Sequence, residues 1–184
     1  PVPPGFFGYR SGKEGINPYV YDWDDEKGRA VRKPLSEAKK LMEKAGYPNG
    51  RDKETNEQLT ITFDNTFTSA ASKPYIDWFT DRFNDIGIQL VSKATDYSRF
   101  QDKIAKGNFQ FFWWGWNADF PDPENFLFLL YGPNSRTKNK AENSANYMSP
   151  EYDKGYVKMK AMGNTPEREK IIHDMTDTFF KDQP

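Results

Sequence analysis

No cysteine occurs in the 184 residues, which removes disulfides, thiolate nucleophiles and cysteine-based zinc sites in one step. Histidine is almost missing too. His173 is the single copy, so no His-rich metal site can be assembled, and its place on the last predicted helix reads as a surface or boundary position and not as a triad base. No apolar run approaches the roughly 18 to 20 residues of a membrane span, and the start lacks the charged and apolar regions of a signal peptide. Net charge is also lacking: 26 Lys and Arg face 27 Asp and Glu, leaving −1. Such a chain has no field to gather nucleic acid or anionic lipid, and nucleic acid is excluded as a partner. There is no Gly-rich phosphate loop, because Gly12 and Gly15 lie in a polar stretch and do not follow a strand. An initiator Met is absent as well. The sequence opens on Pro1-Val2-Pro3-Pro4-Gly5 and stops on Asp182-Gln183-Pro184, which is read as a piece of a longer mature protein.

What remains is a chain with 29% charged, 36% hydrophobic and 16% aromatic residues, the balance of a soluble globular protein whose apolar content is carried by rings. Residues 1–33 are rich in Pro, Gly, Tyr and Asp without a sustained period, and an irregular opening segment is expected there. Residues 34–184 are expected to form a single α/β domain. Leu35, Ala38, Leu41, Met42 and Ala45 share a helical face after Pro34 and before Gly46. Leu59, Ile61 and Phe63 alternate with threonines as a strand. A second helix is predicted over 72–86, a strand over 88–93, a third helix from Tyr97 to near Gly107, and a continuous apolar strand over 109–114. Strands separated by helices imply a largely parallel sheet covered on both sides. A short helix opens at Pro123, a further helix covers 150–162, and the last starts at the cap Thr165 with Ile171, Ile172, Met175 and Phe179 as its buried stripe. The stretch 132–146 between them is polar and irregular.

The segment from Phe111 to Phe126 carries the chemistry. Ligands of open α/β sheets bind beyond the carboxyl ends of strands, and the loop leaving the 109–114 strand holds Trp116, Asn117, Asp119 and Phe120. A carboxylate framed by Trp116 and Phe120 is expected to be partly desolvated and so to attract an ammonium strongly. Trp113 and Trp114 are expected to be core, on alternate faces of the strand. Asp122, directly before Pro123, is assigned to capping the helix.

Several short runs then carry a resemblance: Pro3-Pro4-Gly5, Ala45-Gly46-Tyr47-Pro48-Asn49-Gly50, Gly115-Trp116-Asn117-Ala118-Asp119, Pro121-Asp122-Pro123-Glu124-Asn125-Phe126, Leu130-Tyr131-Gly132-Pro133-Asn134, Glu142-Asn143-Ser144-Ala145-Asn146-Tyr147 and Pro150-Glu151-Tyr152-Asp153. In this order, over nearly the whole chain, they resemble the family 5 solute-binding proteins, the oligopeptide and dipeptide receptors of ABC importers. The resemblance implies a periplasmic binding protein type II-like lobe of α/β class, with a mostly parallel or mixed sheet flanked by helices. It implies the carboxy-terminal lobe of a two-lobed receptor whose N-terminal lobe lies outside the sequence. A periplasmic or extracytoplasmic setting follows, with lipid anchoring left open, together with a membrane permease as partner and short peptides as ligand. No catalytic residue, cofactor or metal is implied. Matched residue by residue, Asp119 follows Trp-x-Ala as the aspartate that accepts a peptide's α-ammonium does, and Trp116 takes the matching place in the pocket wall. Asn117 and Trp114 complete the expected ligand-binding set. Some oligopeptide receptors carry an Arg shortly before the Gly-Trp pair where this chain has Trp113 and Trp114, which leaves the carboxylate partner and peptide length open.

Two other readings are weighed beside it. The tryptophans at 113, 114 and 116 can stack on sugar rings, making an oligosaccharide the alternative ligand. A glycosidase using Asp119 and Glu124 is disfavoured, since carboxylates clustered in one Pro-rich turn cannot easily flank a scissile bond.

Overall fold

A computed structural model describes residues 2–184. In chain order it holds a single helical turn α1 (Gly12–Gly15), an antiparallel hairpin of β1 (Tyr21–Asp24) and β2 (Arg29–Arg32), α2 (Leu35–Lys44), β3 (Thr60–Asn65), α3 (Lys73–Asn84), β4 (Gln89–Ala94), α4 (Tyr97–Ala105) and β5 (Phe111–Phe112). The one-turn helices α5 (Glu124–Leu127) and α6 (Arg136–Asn139) and the longer α7 (Pro150–Met159) and α8 (Pro166–Asp182) follow. Short 3-10 turns join several of them. Among the described residues, no helix is long and apolar enough to cross a membrane.

Two compact units divide the chain, Lys33–Gly115 and the pair of segments Pro1–Arg32 with Trp116–Pro184. Residues 34–184, expected as one domain, are therefore shared between both, and the opening segment packs with the carboxy-terminal third of the chain. That opening segment is also less irregular than expected. Asp24 Oδ1 accepts the backbone N–H groups of Glu26 and Lys27 at 3.1 and 3.0 Å, closing the turn between β1 and β2. Both strands are largely exposed; β1 alternates Tyr21 and Trp23 with Asp22 and Asp24, but β2, Arg29-Ala30-Val31-Arg32, carries no such alternation.

In the Lys33–Gly115 unit, β3 is central in a parallel sheet of order β4-β3-β5. Alternation along the strands sends Phe63 and Phe111 to one face, where the rings of Phe79 and Phe83 on α3 meet them at centroid distances of 5.1 and 5.5 Å. Phe112 points to the other face, toward Phe100 of α4 at 6.4 Å. Phe63, Phe100 and Ile104 are buried, so helices cover both sides as the helix-strand order implies. Buried Asp64, at the end of β3, is held by an ion pair with Lys103.

The predicted 109–114 strand shrinks to Phe111–Phe112. Gln110 explains the late start: its side-chain oxygen accepts from Thr62 N at 2.9 Å and Thr62 Oγ1 at 3.1 Å, taking up a donor that a backbone ladder would otherwise use. Trp113 is 56% exposed and is not core. Trp114 is partly buried, packing edge-on to Phe100 and Tyr97. Helix α2 forms where predicted, yet Leu35 and Leu41 on its apolar face stay exposed.

The other unit is built on α7 and α8. Tyr152, Tyr156 and Met159 interlock with Ile172, Met175, Leu127 and Val2. Both helices start on side-chain caps, the predicted Thr165 accepting from Arg168 N and Ser149, which the sequence reading did not single out, accepting from Tyr152 N. Buried Tyr152 donates its hydroxyl to Leu127 O at 2.9 Å, which ties α7 to α5. The polar stretch after α5 is ordered by Asn143, fully buried, whose side-chain N donates to Tyr131 O and Tyr147 O.

One contact in the Lys33–Gly115 unit tolerates no side chain. Gly50 and Gly87 adopt φ of +76° and +85°, and a Cβ on Gly50 would lie 1.7 Å from Gly87 O. Gln58 bridges them by donating to Gly50 O and Gly87 O at 3.1 and 2.7 Å. This apposition sets where β3 begins and where α3 hands over to β4. Gly50→Ala is expected to lose on the order of 3 kcal/mol of stability through clash and φ strain, read as a lowered urea midpoint, whereas Gly163→Ala, with open space around it and no positive φ, should lose much less.

Candidate functional site

The chain leaves β5 through Trp113, whose N–H donates to Asp64 O at 3.3 Å, and reaches Trp116 at the start of the second unit's long segment. Trp116 is half-buried, while Asn117, Ala118, Asp119 and Phe120 are exposed. Its ring rests edge-on to Phe128 at 5.3 Å. The indole Nε1–H donates to Asn125 Oδ1 at 2.8 Å, and the backbone N–H of Asp119 donates to the same oxygen at 3.2 Å. Asn125 is 3% exposed. Both partners are N–H groups that can only donate, so the amide carbonyl must face them.

Beyond Phe120 the segment is fixed a second time. Asp122 and Arg168 form a bidentate pair at 2.7 and 2.9 Å, and Asp122 Oδ1 also accepts from Glu124 N at 2.8 Å. The structural role expected for Asp122 thus includes an ion pair that motif reading does not suggest. Arg168, 3% exposed, donates in addition to Met159 O and Asn164 Oδ1 and lies over the Phe7 ring. Glu124 accepts a short hydrogen bond from the Tyr156 hydroxyl. Burial, and then that carboxylate, push the Tyr156 hydroxyl far above the usual phenol range.

Of the expected ligand-binding set, Trp116, Asn117 and Asp119 lie on this one segment, whereas Trp114 belongs to the Lys33–Gly115 unit. The expectation of a partly desolvated Asp119 carboxylate does not hold, because Asp119 and Phe120 are both exposed, Phe120 at 46%. Physically, the inner side of the loop is occupied by the indole and backbone contacts to Asn125, and the side chains at 117 to 120 are left on the outside. Asn125 and Arg168 escaped the sequence reading. A signal for the second existed, since Arg168 stands four residues before buried Ile172 and so falls on the core stripe of α8. Among the described residues, no group of three or more His, Asp or Glu could hold a metal ion.

The chain is similar to several known proteins. Residues 3–138 match the family described as bacterial extracellular solute-binding proteins, family 5 Middle. The periplasmic oligopeptide-binding protein OppA of Escherichia coli is 28% identical over 79% of this chain and 23% of its own length. Heme-binding protein A of Haemophilus influenzae is 26% identical over 88% of this chain and 28% of its own. Among solved structures, the periplasmic binding protein DppA of Helicobacter pylori, in complex with the peptide STSA, superposes with a TM-score of 0.73 at 23% identity, covering 98% of this chain and 30% of that one. The chain spans less than a third of the length of each of these relatives.

The Asp122–Arg168 pair gives the segment a pH dependence. Desolvation raises the Asp122 pKa, but the hydrogen bonds from Arg168 and Glu124 N and the guanidinium charge outweigh it, and the carboxyl sits below its ordinary value. A depressed folded value means that the stabilisation is complete above the unfolded value of about 3.9 and is lost as pH falls through the lower folded value. Urea midpoints should therefore fall more steeply on acidification below about pH 4 in wild type than in Asp122→Asn; parallel curves would remove the pair from the acid response.

Proposed function

Because the chain belongs to the bacterial extracellular solute-binding proteins of family 5, we propose that it supplies one ligand-binding lobe of a longer receptor that captures short peptides outside the cytoplasm and delivers them to the membrane permease of an ABC importer. Asp119 accepts the peptide's α-ammonium, Trp116 provides a flat wall with its edge held from behind, and Asn117 adds a contact to the ligand. The carrying observation is the state of the 116–120 segment. Its inner side is pinned by buried Asn125, while the carboxylate at 119 stays open to solvent. A binding carboxylate needs that combination, since an anchor already ordered loses little entropy when ligand arrives. Relatives named for binding oligopeptides, and a related structure holding the peptide STSA, support the ligand class.

Reversible capture is favoured over hydrolysis by the engagement of the neighbouring acids. Asp122 is committed to Arg168 and Glu124 to Tyr156, so neither is free to act with Asp119 as a second carboxylate. In calorimetric titration of the full-length receptor, Asp119→Asn should weaken a free-amine peptide by at least about tenfold while leaving its N-acetylated form little changed, a gap of the size expected for losing one partner of a charged pair. Equal binding of the free and acetylated peptides by wild type would sink the ammonium assignment.

One observation favours an oligosaccharide instead. In the Lys33–Gly115 unit Tyr75, Trp78 and Trp113 are 64%, 53% and 56% exposed, and Phe79 touches both tryptophan rings edge-on, leaving faces available for stacking. The peptide reading expects the melting temperature of the full-length receptor to rise with peptides and not with cello-oligosaccharides. The reverse pattern would select the sugar.

A further inference from the structure

Asn125 is buried on α5, yet its carbonyl oxygen is committed to two groups on the segment proposed to meet ligand, the Trp116 indole N–H and the Asp119 backbone N–H. An amide oxygen has two lone pairs, and here both are used. The bond at Nε1 fixes the rotation of the indole that Phe128 supports from its edge, and the bond at Asp119 N fixes the backbone from which the carboxylate springs. Ring and acid are thus referred to a single atom. That atom is itself located by the backbone bond from Asn125 N to Asp122 O at 3.0 Å, and Asp122 is held by Arg168.

We infer that Asn125 is a positioning residue that sets Trp116 and Asp119 as one unit, and that it thereby determines how strongly the receptor prefers a ligand bearing a free ammonium over the same ligand with that charge removed. The selectivity half of this inference rests on the reading of Asp119 above, whereas the positioning half does not. A side chain without an acceptor at that position cannot fill the role. Leucine has no acceptor, and alanine would leave two N–H groups without a partner. Aspartate keeps the shape and an acceptor oxygen in place, so it should rescue the arrangement, and its added negative charge can only strengthen the preference for a cation.

The test uses the full-length receptor and its Asn125→Ala, Asn125→Asp and Trp116→Phe variants. Hydrogen–deuterium exchange without ligand should show faster exchange in Asn125→Ala across the peptide covering 116–121, with the α7 and α8 peptides unchanged and Asn125→Asp close to wild type. Titration with trialanine and with N-acetyl-trialanine gives the selectivity ratio. Asn125→Ala should lower it at least tenfold, Asn125→Asp should keep or raise it, and Trp116→Phe, which loses only one of the two donors, should fall between. If Asn125→Ala does not fold, the ordering of Asn125→Asp and Trp116→Phe against wild type decides the matter in the same way. Unchanged exchange at 116–121, or equal loss of both peptides in Asn125→Ala, overturns the inference. A wild-type ratio of one, or no binding of either peptide, overturns the selectivity half, and exchange still decides whether Asn125 holds the segment.

Discussion

Arg168 is the contact on which the carboxy-terminal unit depends. A guanidinium at 3% exposure is costly unless its donors and charge are matched, and here they are shared among Asp122, Asn164 and Met159 O, with Phe7 covering its face. Each partner comes from a different place: the site segment, the loop before α8, the end of α7 and the opening segment. No apolar side chain could do this, because burial alone is non-directional, whereas the fork of Arg168 specifies angle and distance at every partner. The site segment inherits its position from that fork through Asp122, and Asn125 passes the position on to Trp116 and Asp119.

Helices and strands in the middle of the chain were legible because they obey simple periods. Leu59, Ile61 and Phe63 alternate, Ile76, Phe79, Phe83 and Ile86 recur at helical spacing, and Thr165 before Pro166 marks a helix start; β3, α3 and α8 form there. Departures came where polar side chains replaced backbone partners. Gln110 shortens the start of β5 by answering Thr62, and Asp24 closes a hairpin whose second strand carries no apolar alternation. The site was half legible. Aromatic and acidic residues around 116–120 point to chemistry, but Asn125 and Arg168 act through hydrogen bonds to residues as far as 46 positions away, and sequence spacing carries no such information. Trp113 misled for a related reason: ring size suggests burial, while the sheet ends one residue earlier.

The candidate site is rigid within and open without. Its inner face is saturated, since the Asn125 oxygen accepts two bonds and the Asp122 carboxylate answers both Arg168 and Glu124 N. Outside, the side chains from Asn117 to Phe120 meet solvent. A carboxylate in water gains little from pairing with a cation, because high dielectric and competing hydration weaken the attraction. Affinity at Asp119 therefore grows only when another surface removes water around it, which makes the strength of this anchor a property of enclosure and its direction a property of this chain.

The carboxy-terminal unit is discontinuous, with residues 1–32 and 116–184 separated in sequence by the whole of the other unit. During synthesis from the amino terminus, the opening segment emerges long before the helices it will pack against. Residues 33–115 hold the parallel sheet of β3, β4 and β5, so every strand of that sheet is present once residue 115 has left the ribosome. Phe7 and Val2 must wait for Arg168 and Ile172. The topology of these residues thus sets an order of assembly, the inserted unit able to form before the discontinuous one, whose opening segment has no core of its own until α7 and α8 have followed it.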